Sequence, residues 1–262
     1  MKIEFHKYHG NGNDFIMLDN RLNKIELDSS RIAYLCDRHF GIGADGLIFL
    51  DNKDGFDFSL KYFNSDGNES TMCGNGGRCI TMFAHELGII NSTTRFIATD
   101  GPHDAEILSY STERCDVKLK MKDTRPGQIS WDGYFIDTGS PHFVKFVPSL
   151  SAVDVLNEGR VLRNDRRFAP AGCNINFVEL LSSGIKVRTY ERGVENETLS
   201  CGTGVTASAI IAAFLNNENK GVCYVSAMGG EFTVHFHQSG PEFTEVYLEG
   251  PVTFVFKGEI TI

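Results

Sequence analysis

Two glycine-rich stretches of the sequence each place a cysteine where a helix is expected to begin. Residues 72–79 read MCGNGGRC and residues 200–206 read SCGTGVT. The turn at such a helix start presents unpaired backbone N–H groups and the positive end of the helix dipole, which together bind an anion such as a carboxylate. The same environment stabilises a thiolate and so lowers the pKa of a cysteine. Each stretch therefore predicts an anion-binding turn beside an ionisable thiol.

The two stretches belong to a longer internal similarity. Residues 61–79 align without gaps on residues 189–207, an offset of 128 residues, and six of the nineteen aligned pairs are identical. The same offset places GNDFIML on SPHFVKF. A shared offset for two separate matches indicates an internal duplication. We therefore expect two similar halves joined near residues 122–133, each with strands, a cysteine turn and a central helix.

Two such thiols could invert a stereocentre if the halves face each other. One carboxylate would then lie between the two helix starts, with its α-carbon between two sulfurs. One thiolate would remove the α-proton, and the opposite thiol would return a proton to the other face. The helix starts would stabilise the negative charge that develops on the carboxylate. This chemistry needs neither a metal ion nor an imine cofactor in principle.

The rest of the sequence predicts the framework that positions these turns. Many short apolar runs separated by turn residues indicate strands. Three segments look helical: SSRIAYLCDRH after the potential N-caps Asp28 and Ser29, GGRCITMFAHELG ending at Gly88, and GVTASAIIAAFLNN. The expected class is α+β, with two pseudo-symmetric domains that each wrap a mainly antiparallel sheet around a central helix. These domains are residues 1–125 and 126–251, with the active site in the cleft between them.

Composition excludes several classes of partner. The chain has 262 residues, 41% of them hydrophobic and 23% charged, and a net charge of −9. This acidic balance argues against nucleic acid and anionic membranes as partners. The seven cysteines are irregularly spaced, and the N-terminal residues do not read as a signal peptide, which favours free thiols in the cytoplasm. The longest uncharged run is too short for a membrane span.

Further motifs occur in order along the chain: GNGNDF, FNSDGNESTMCGNGGRC, SPHFV, NINFVE, YERGVENETLSCGTG and GPVTFVFKGEI. In these motifs, nearly end to end, the sequence resembles the diaminopimelate epimerases. The resemblance implies reversible conversion of LL- to meso-diaminopimelate without pyridoxal phosphate, in lysine and peptidoglycan synthesis. It also implies a homodimer with Phe256 at a dimer contact, and a first domain completed by the last strand, residues 252–262. The related proline racemases usually have histidine where Asn75 stands, and phenazine-type isomerases lack the cysteine pair.

The resemblance assigns roles to individual residues. The acid–base thiols match Cys73 and Cys201. Glu191 should meet the α-ammonium group and help to poise a thiol, and the planar fork of Arg192 should bind the distal carboxylate. His142 matches the histidine that the family places near the thiols, where it modulates their pKa. The other residues that match substrate-binding positions are Asn11, Asn64, Gly74, Asn75, Asn174, Gly202 and Thr203.

The sequence departs from the family pattern in three places. Ser140 stands where the family commonly has asparagine, and Gly46 stands where it often has glutamine. The stretch from Glu191 to Cys201 is one residue longer than in many members. Because Ser140 is polar but short, we expect rearranged contacts at the distal end of the substrate and unchanged thiol chemistry.

Other interpretations of these motifs are weaker. A zinc site built from Cys73, Cys79, His85 and His103 has the wrong spacing, so no metal is expected. GIGADG, residues 41–46, matches the dinucleotide-binding fingerprint, but a helix precedes it and a strand follows it. We expect it to form a helix-to-strand turn. The cysteines expected to serve only in packing are Cys36, Cys79, Cys115, Cys173 and Cys223.

Two other functions stay open at this point. One is a racemase or epimerase for another amino acid, such as proline or hydroxyproline. Arg192, Asn64 and Asn174 argue against it, because they imply a polar distal group on the substrate. The other is a non-catalytic binding or redox-sensing protein that uses exposed thiols of low pKa. Exchange of the substrate α-proton with solvent deuterium would separate this alternative from an enzyme.

Overall fold

The computed structural model divides the chain into two compact units. The first unit combines Met1–Leu119 with Gly250–Ile262, and the second is Lys120–Glu249. The chain therefore passes from one unit to the other twice. The structure describes residues 2–22, 25–127, 129–130, 132–216 and 221–261.

The first unit is built from the N-terminal strands, two helices and the C-terminal part of the last strand. Its helices are α1 (Ser29–Cys36) and α2 (Gly74–Glu86). Its own strands are β1 (Lys2–Gly10), β2 (Asn13–Asp19), β3 (Gly46–Asp51), β4 (Ser59–Asn64), β5 (Glu69–Ser70), β6 (Thr93–Ala98), β7 (Gly101–Tyr110) and β8 (Arg114–Lys120).

The second unit repeats this plan. Its helices are α3 (Val155–Arg163) and α4 (Gly202–Asn216), with short 3₁₀ turns at Leu150–Ala152 and Arg166–Phe168. Its strands are β9 (Ile129–Ser130), β10 (Gly133–Asp137), β11 (Pro141–Phe146), β12 (Asn174–Leu181), β13 (Gly184–Glu191), β14 (Asn196–Thr198), β15 (Val222–Ala227), β16 (Gly230–Ser239) and β17 (Glu242–Thr261), which continues into the first unit.

The strands of the first unit form a closed ring around α2. The ring runs β1–β2–β3–β4–β6–β7–β8 and closes through the C-terminal part of β17, which pairs with β8 and with β1. In this closure Lys2 lies opposite Thr261. Only β2–β3 and β4–β6 are parallel among these neighbours. The α2 residues from Gly74 to Ala84 are all buried, as expected for a helix that a sheet encloses.

The second unit closes in the same way around α4. Strands β10, β11, β12, β13, β15, β16 and the N-terminal part of β17 are neighbours in turn, and β9 pairs with β10. The segment that precedes β9 contacts β17: the Met121 N–H donates to the carbonyl of Val246, and Thr124 forms a β-bridge with Phe243. These bonds explain why the structure divides the chain after Leu119, six residues before the boundary at residue 125 that the sequence predicts.

The two units repeat with an almost constant offset. Their ring neighbours correspond one by one, including the two parallel pairs, β2–β3 with β11–β12 and β4–β6 with β13–β15. The α+β class with two similar halves, each a mainly antiparallel sheet around a helix, is thereby confirmed. The pairs of element starts that lie 128 residues apart are Asn13 and Pro141, Gly46 and Asn174, Gly74 and Gly202, and Arg114 and Glu242.

The expectation of three helical segments was wrong, because α3 is a further α-helix. Its N-cap Asp154 accepts a hydrogen bond from the Asn157 N–H, and two arginines in its last turn suit the helix dipole. Gly159 in its interior obscured it, since glycine disfavours helices. The structure explains this glycine: a Cβ there would lie 2.5 Å from the Cβ of Tyr190. Among the described helices, none is long and apolar enough to cross a membrane.

A two-residue hairpin turn connects β1 to β2. Its central residues are Asn11 (φ 52°) and Gly12 (φ 85°), and Gly10 pairs with Asn13 across it. Positive φ at both positions defines the type I′ turn, for which Asn-Gly is the preferred pair. Although it is at a hairpin tip, Asn11 is only 3% exposed. The turn therefore packs its asparagine into the protein, beside the start of α2.

Candidate active site

Cys73 is the N-cap residue of α2. Its backbone is extended (φ −96°, ψ 132°), and its carbonyl accepts the first helical hydrogen bond from the Gly77 N–H at 2.8 Å. The N–H groups of Gly74 and Asn75 follow in the first turn, where a helix offers them no acceptor of its own. This first turn contains no acidic residue. The site thus offers donors and a positive dipole end to an anion, next to a half-buried thiol.

Cys201 occupies the equivalent place before α4. Its carbonyl accepts from the Val205 N–H, also at 2.8 Å, and the first turn of α4 again lacks an acidic residue. The sulfur lies 3.4 Å from the Thr203 hydroxyl oxygen. The Thr138 hydroxyl donates to the carbonyl of Thr203 at 2.8 Å and so anchors the turn. Both predicted cysteine turns therefore make the same first helical hydrogen bond, each in its own unit.

A buried polar network surrounds Cys73. Its sulfur lies 3.6 Å from Oδ1 of Asn13, which also accepts a hydrogen bond from Nδ2 of Asn75 at 3.2 Å. Arg78, on the next turn of α2, donates from Nη2 to the side-chain oxygens of Asn11 (2.8 Å) and Asn75 (3.0 Å). The structure thus brings the predicted residues Cys73, Asn75 and Asn11 together.

Sequence reasoning gave no role to Arg78 or Asn13. A signal for Arg78 was available, since it is the one charged residue between Gly74 and Ala84. A lone arginine within an otherwise uncharged, buried helix is uncommon and requires hydrogen-bond partners. Those partners could not be identified without the fold.

A second buried network holds His142 on β11. The Thr189 hydroxyl donates to Oδ1 of Asn176 at 2.9 Å, which turns Nδ2 of Asn176 towards Nδ1 of His142, 3.1 Å away. The ring proton therefore belongs on Nε2. Nε2 is buried and has no hydrogen-bond partner among the described residues. Burial lowers the pKa of His142 to about 3, and the charge of nearby Arg192 adds to the effect.

We expect His142 to make the protein less stable in acid. Its pKa is about 6.5 in the unfolded chain and about 3 in the fold, so only the unfolded chain binds this proton between those values. The contribution of neutral His142 to the free energy of unfolding is complete above pH 6.5. It is lost as the pH falls towards 3, at about 1.4 kcal/mol per pH unit. Urea unfolding at pH 6.5, 5.5 and 4.5 measures this slope.

His142→Asn is the matched control for this slope. Its side-chain oxygen can accept the hydrogen bond from Asn176, but the side chain does not titrate. The free energy of unfolding should therefore fall less steeply with acid in this variant than in the wild type. Parallel slopes for the two proteins would show that His142 is not held neutral by the fold.

Asn174, Glu191 and Arg192 lie together where β12 and β13 meet. The side-chain amide of Asn174 donates to the hydroxyl of Ser140 (2.7 Å) and the carbonyl of Pro141 (3.2 Å), and its Oδ1 accepts from the Arg192 N–H (2.9 Å). Glu191 accepts from the Thr198 hydroxyl at 3.0 Å. Ser140 thus supports Asn174, which in turn positions the backbone of Arg192.

Gly46, one of the departures from the family pattern, has no room for a side chain. A Cβ at this position would lie 2.5 Å from Cε2 of Tyr62 and 2.6 Å from the carbonyl oxygen of Phe63. Gly46 lies opposite Asn64 in the β3–β4 pair. A glutamine side chain therefore cannot contribute a contact at this end of β4, where the predicted substrate-binding residue Asn64 lies. The GIGADG stretch connects α1 to β3, as expected of a turn.

The other five cysteines form no disulfide among the described residues, and four of them, Cys36, Cys79, Cys115 and Cys173, are fully buried. Burial raises the pKa of Cys36, Cys115 and Cys173 to about 12 and that of Cys79 well above its ordinary value. These thiols are therefore poor bases and nucleophiles. Cys223, on β15, is only partly buried.

Comparison with known sequences gives a consistent result. The sequence model of the diaminopimelate epimerase family matches residues 5–121 and 134–255. The diaminopimelate epimerase of Flavobacterium psychrophilum is 48% identical over 260 residues, covering 98% of this chain and all of that protein. The diaminopimelate epimerase of Chlorobaculum tepidum is 40% identical over 259 residues, covering 97% of this chain and 99% of that protein.

Solved structures with similar folds are much more distant in sequence. A phenazine biosynthesis protein from Bacillus anthracis superposes over the full length of both chains with a TM-score of 0.79 and 14% identity. A probable proline racemase from Agrobacterium radiobacter covers 99% of this chain and 92% of its own, with a TM-score of 0.71 and 15% identity. At this identity the likeness concerns the fold alone.

Proposed function

The chain belongs to the diaminopimelate epimerase family and is an amino-acid isomerase; we propose that it interconverts LL- and meso-diaminopimelate with two thiols, those of Cys73 and Cys201, and without pyridoxal phosphate. One observation carries the proposal. Each cysteine directly precedes a buried helix, its carbonyl accepts the first helical hydrogen bond, and the first turn of that helix contains no acidic residue. A matched pair of bases is what inversion in both directions requires.

Substrate binding starts with the carboxylate at the reacting end. It accepts hydrogen bonds from the backbone N–H groups of Gly74, Asn75, Gly202 and Thr203, and the dipoles of two helices favour its charge. As the α-proton leaves, negative charge moves onto this carboxylate. The same donors then bind it more strongly, which lowers the barrier to proton removal.

The remaining predicted residues hold the substrate on either side of the α-carbon. Glu191 pairs with the α-ammonium group, and Arg192 binds the distal carboxylate through two parallel hydrogen bonds. Their adjacency on one strand end, with Asn174 holding the backbone of Arg192, supports this assignment. Asn64, Asn174 and Asn11 complete the set of substrate contacts.

The reaction moves one proton off the α-carbon and one proton on. The thiolate of one cysteine takes the α-proton and becomes a thiol, and the C–H electron pair passes into the enolate form of the carboxylate. The thiol of the other cysteine then gives its proton to the opposite face of the carbon and becomes a thiolate. The product leaves with inverted configuration, and the two cysteines have exchanged protonation states.

His142 acts in this scheme as a neutral hydrogen-bond donor. Its low pKa keeps the ring uncharged, and the contact from Asn176 leaves the proton on Nε2. A neutral donor stabilises a nearby thiolate less than an imidazolium would. This difference matters, because a thiol that has taken up the α-proton must release a proton again before it can act as a base.

The wider setting follows from the family and stays a prediction. We infer a homodimer, because Phe256 is 45% exposed and Val255 is 49% exposed on β17, and Phe256 matches the family's dimer contact. Lysine and peptidoglycan synthesis in the cytoplasm is the expected pathway. Nucleic acid and membranes are not expected partners.

The experiment that tests the function is conversion of LL-diaminopimelate in D₂O. We expect meso-diaminopimelate that carries one deuterium at the inverted α-carbon, because the thiol that delivers the proton has exchanged with solvent. Mass spectrometry and chiral chromatography of the product measure both events. Proline is the competing substrate, and it should neither invert nor exchange. Exchange of proline with no change in diaminopimelate would contradict the proposed specificity.

A further inference from the structure

Arg78 is a buried cation in α2 to which the proposed mechanism gives no role. None of its surface is exposed. Burial lowers the pKa of its guanidinium to about 10, so the group remains charged at neutral pH. The thiols whose charges act on it include that of Cys73. A fixed positive charge therefore lies close to one of the two proposed acid–base groups.

The contacts of Arg78 determine how two asparagines are oriented. It donates to the side-chain oxygens of Asn11 and Asn75, and from Nη1 to the carbonyl of Gly74 at 3.4 Å. Arginine has N–H donors and no acceptor. Both asparagines must therefore turn their oxygens towards Arg78 and their NH₂ groups away from it.

From Asn75 the hydrogen bonds continue with a fixed direction. Its NH₂ group donates to Asn13, whose NH₂ group donates to Asp45 at 2.8 Å. Asp45 in turn pairs with Arg38 at 2.7 Å. These hydrogen bonds thus form a continuous series from the buried guanidinium of Arg78 to the carboxylate of Asp45. The series fixes the orientation of the side-chain amides of Asn75 and Asn13. Cys73 lies against its middle, at the oxygen of Asn13.

We propose that Arg78 is a positioning residue for the epimerase reaction: it sets Asn11 to present an NH₂ group to the substrate and engages the side chain of Asn75 within the protein. Asn75 then meets the substrate through its backbone N–H. Asn11 becomes a donor, which fits a carboxylate oxygen of the substrate and not an ammonium group. The inference rests on the proposed function, since it takes Asn11 as a substrate contact.

The first test compares Arg78→Lys with Thr81→Val. Lysine keeps the charge, but its compact ammonium group cannot reproduce the planar fork that reaches both asparagines. We expect kcat/KM to fall about 10-fold, mainly through a higher KM. Thr81 is on the same helix and equally buried, and its hydroxyl donates to the Gly77 carbonyl. Thr81→Val should change kcat/KM less than about twofold, because this residue lies outside the chain of hydrogen bonds. An Arg78→Lys enzyme with wild-type kcat/KM overturns the proposal.

The second test does not depend on the folding of an Arg78 variant. Asn11→Asp keeps an oxygen for Arg78 and tolerates the positive φ of this position, but it offers only acceptors to the substrate. We expect an unchanged or higher Tm together with a loss of at least about 10-fold in kcat/KM. A fully active Asn11→Asp enzyme overturns the proposal.

A measurement without substrate separates this inference from the proposed function. The change in Tm caused by Asn11→Asp should be more favourable with Arg78 than in an Arg78→Met background, because the new carboxylate pairs with the guanidinium. Equal changes in the two backgrounds overturn the positioning role. A wild-type protein that does not epimerise diaminopimelate contradicts the proposed function, and the Tm comparison still tests the contact.

Discussion

Cys73→Ser and Cys201→Ser should each lose about 10³-fold or more in kcat/KM for epimerisation, while the fold is retained. Serine has nearly the shape of cysteine, but its hydroxyl ionises far less readily than a thiol. It can neither remove the α-proton at neutral pH nor be regenerated as a base. Epimerisation needs both groups in each turnover, so one substitution is sufficient to stop it.

The two variants should differ in what they retain. The remaining cysteine can still remove the α-proton from the isomer whose hydrogen faces it. Each variant should therefore exchange deuterium into only one of LL- and meso-diaminopimelate, and the two variants should favour opposite isomers. NMR of each isomer incubated in D₂O measures this pattern and also shows which cysteine serves which isomer.

Cys223→Ser is the matched control for these substitutions, because Cys223 is partly buried and lies within strand β15, not at the start of a helix. It should retain wild-type kcat/KM. If Cys73→Ser or Cys201→Ser also epimerises at the wild-type rate, the two-base mechanism is wrong. If both exchange the same isomer, the assignment of one cysteine to each face is wrong.

Gly204→Ala should reduce kcat/KM by about 100-fold and destabilise the fold by about 1–3 kcal/mol. A Cβ on Gly204 would overlap Oδ1 of Asn176. Asn176 would have to move, and it is the residue that holds Nδ1 of His142 and accepts from Thr189. The substitution therefore disturbs His142 and the start of α4 through a single methyl group. Steady-state kinetics and urea unfolding measure the two effects.

Gly76→Ala is the control that the duplication provides, because Gly76 and Gly204 are equivalent in the two halves. Its Cβ would meet Cδ1 of Ile48 at 2.9 Å, the far end of a flexible side chain that can turn aside. We expect a clearly smaller loss of activity and stability. Equal losses of kcat/KM and stability in the two variants would show that a side chain at either glycine is harmful, whichever residue it would contact.

The two halves repeat the same order of strands and helices, but the side chains that support the two cysteine turns differ. Arg78 corresponds to Thr206, whose hydroxyl donates to the Gly202 carbonyl one turn back. A charged group thus supports the turn at Cys73, whereas neutral side chains, Asn176 and His142, support the turn at Cys201. The symmetry that the sequence reveals concerns the positions of the thiols and does not extend to the residues behind them.

The sequence was sufficient for the architecture because the repeat needs no gaps around the cysteine turns. Identical residues at one offset predicted two similar halves, and each glycine turn before an apolar segment predicted a helix start. Helix α3 was missed, since Gly159 reflects a close contact with Tyr190 that no local pattern records.

The supporting residues of the site could not be predicted for the same reason. Asn11 and Arg78 are 67 residues apart and meet only because the β1–β2 turn packs against α2. Asn176 and His142 are 34 residues apart, on parallel neighbouring strands. Motifs identify residues that act on a substrate. The identity of the residues that position these site residues depends on which strands and helices become neighbours in the fold.

The pairing of Lys2 with Thr261 has a consequence for co-translational folding. The N-terminal unit emerges first, yet the strand that closes its ring is translated only after the whole second unit. The second unit, which is continuous in sequence, can complete its ring earlier. Multidomain chains generally fold from the N-terminus onwards, and here completion should follow the opposite order. Until the C-terminal part of β17 is available, β1 and β8 present open edges, so a truncation that removes it would leave an aggregation-prone product instead of a slightly shortened enzyme.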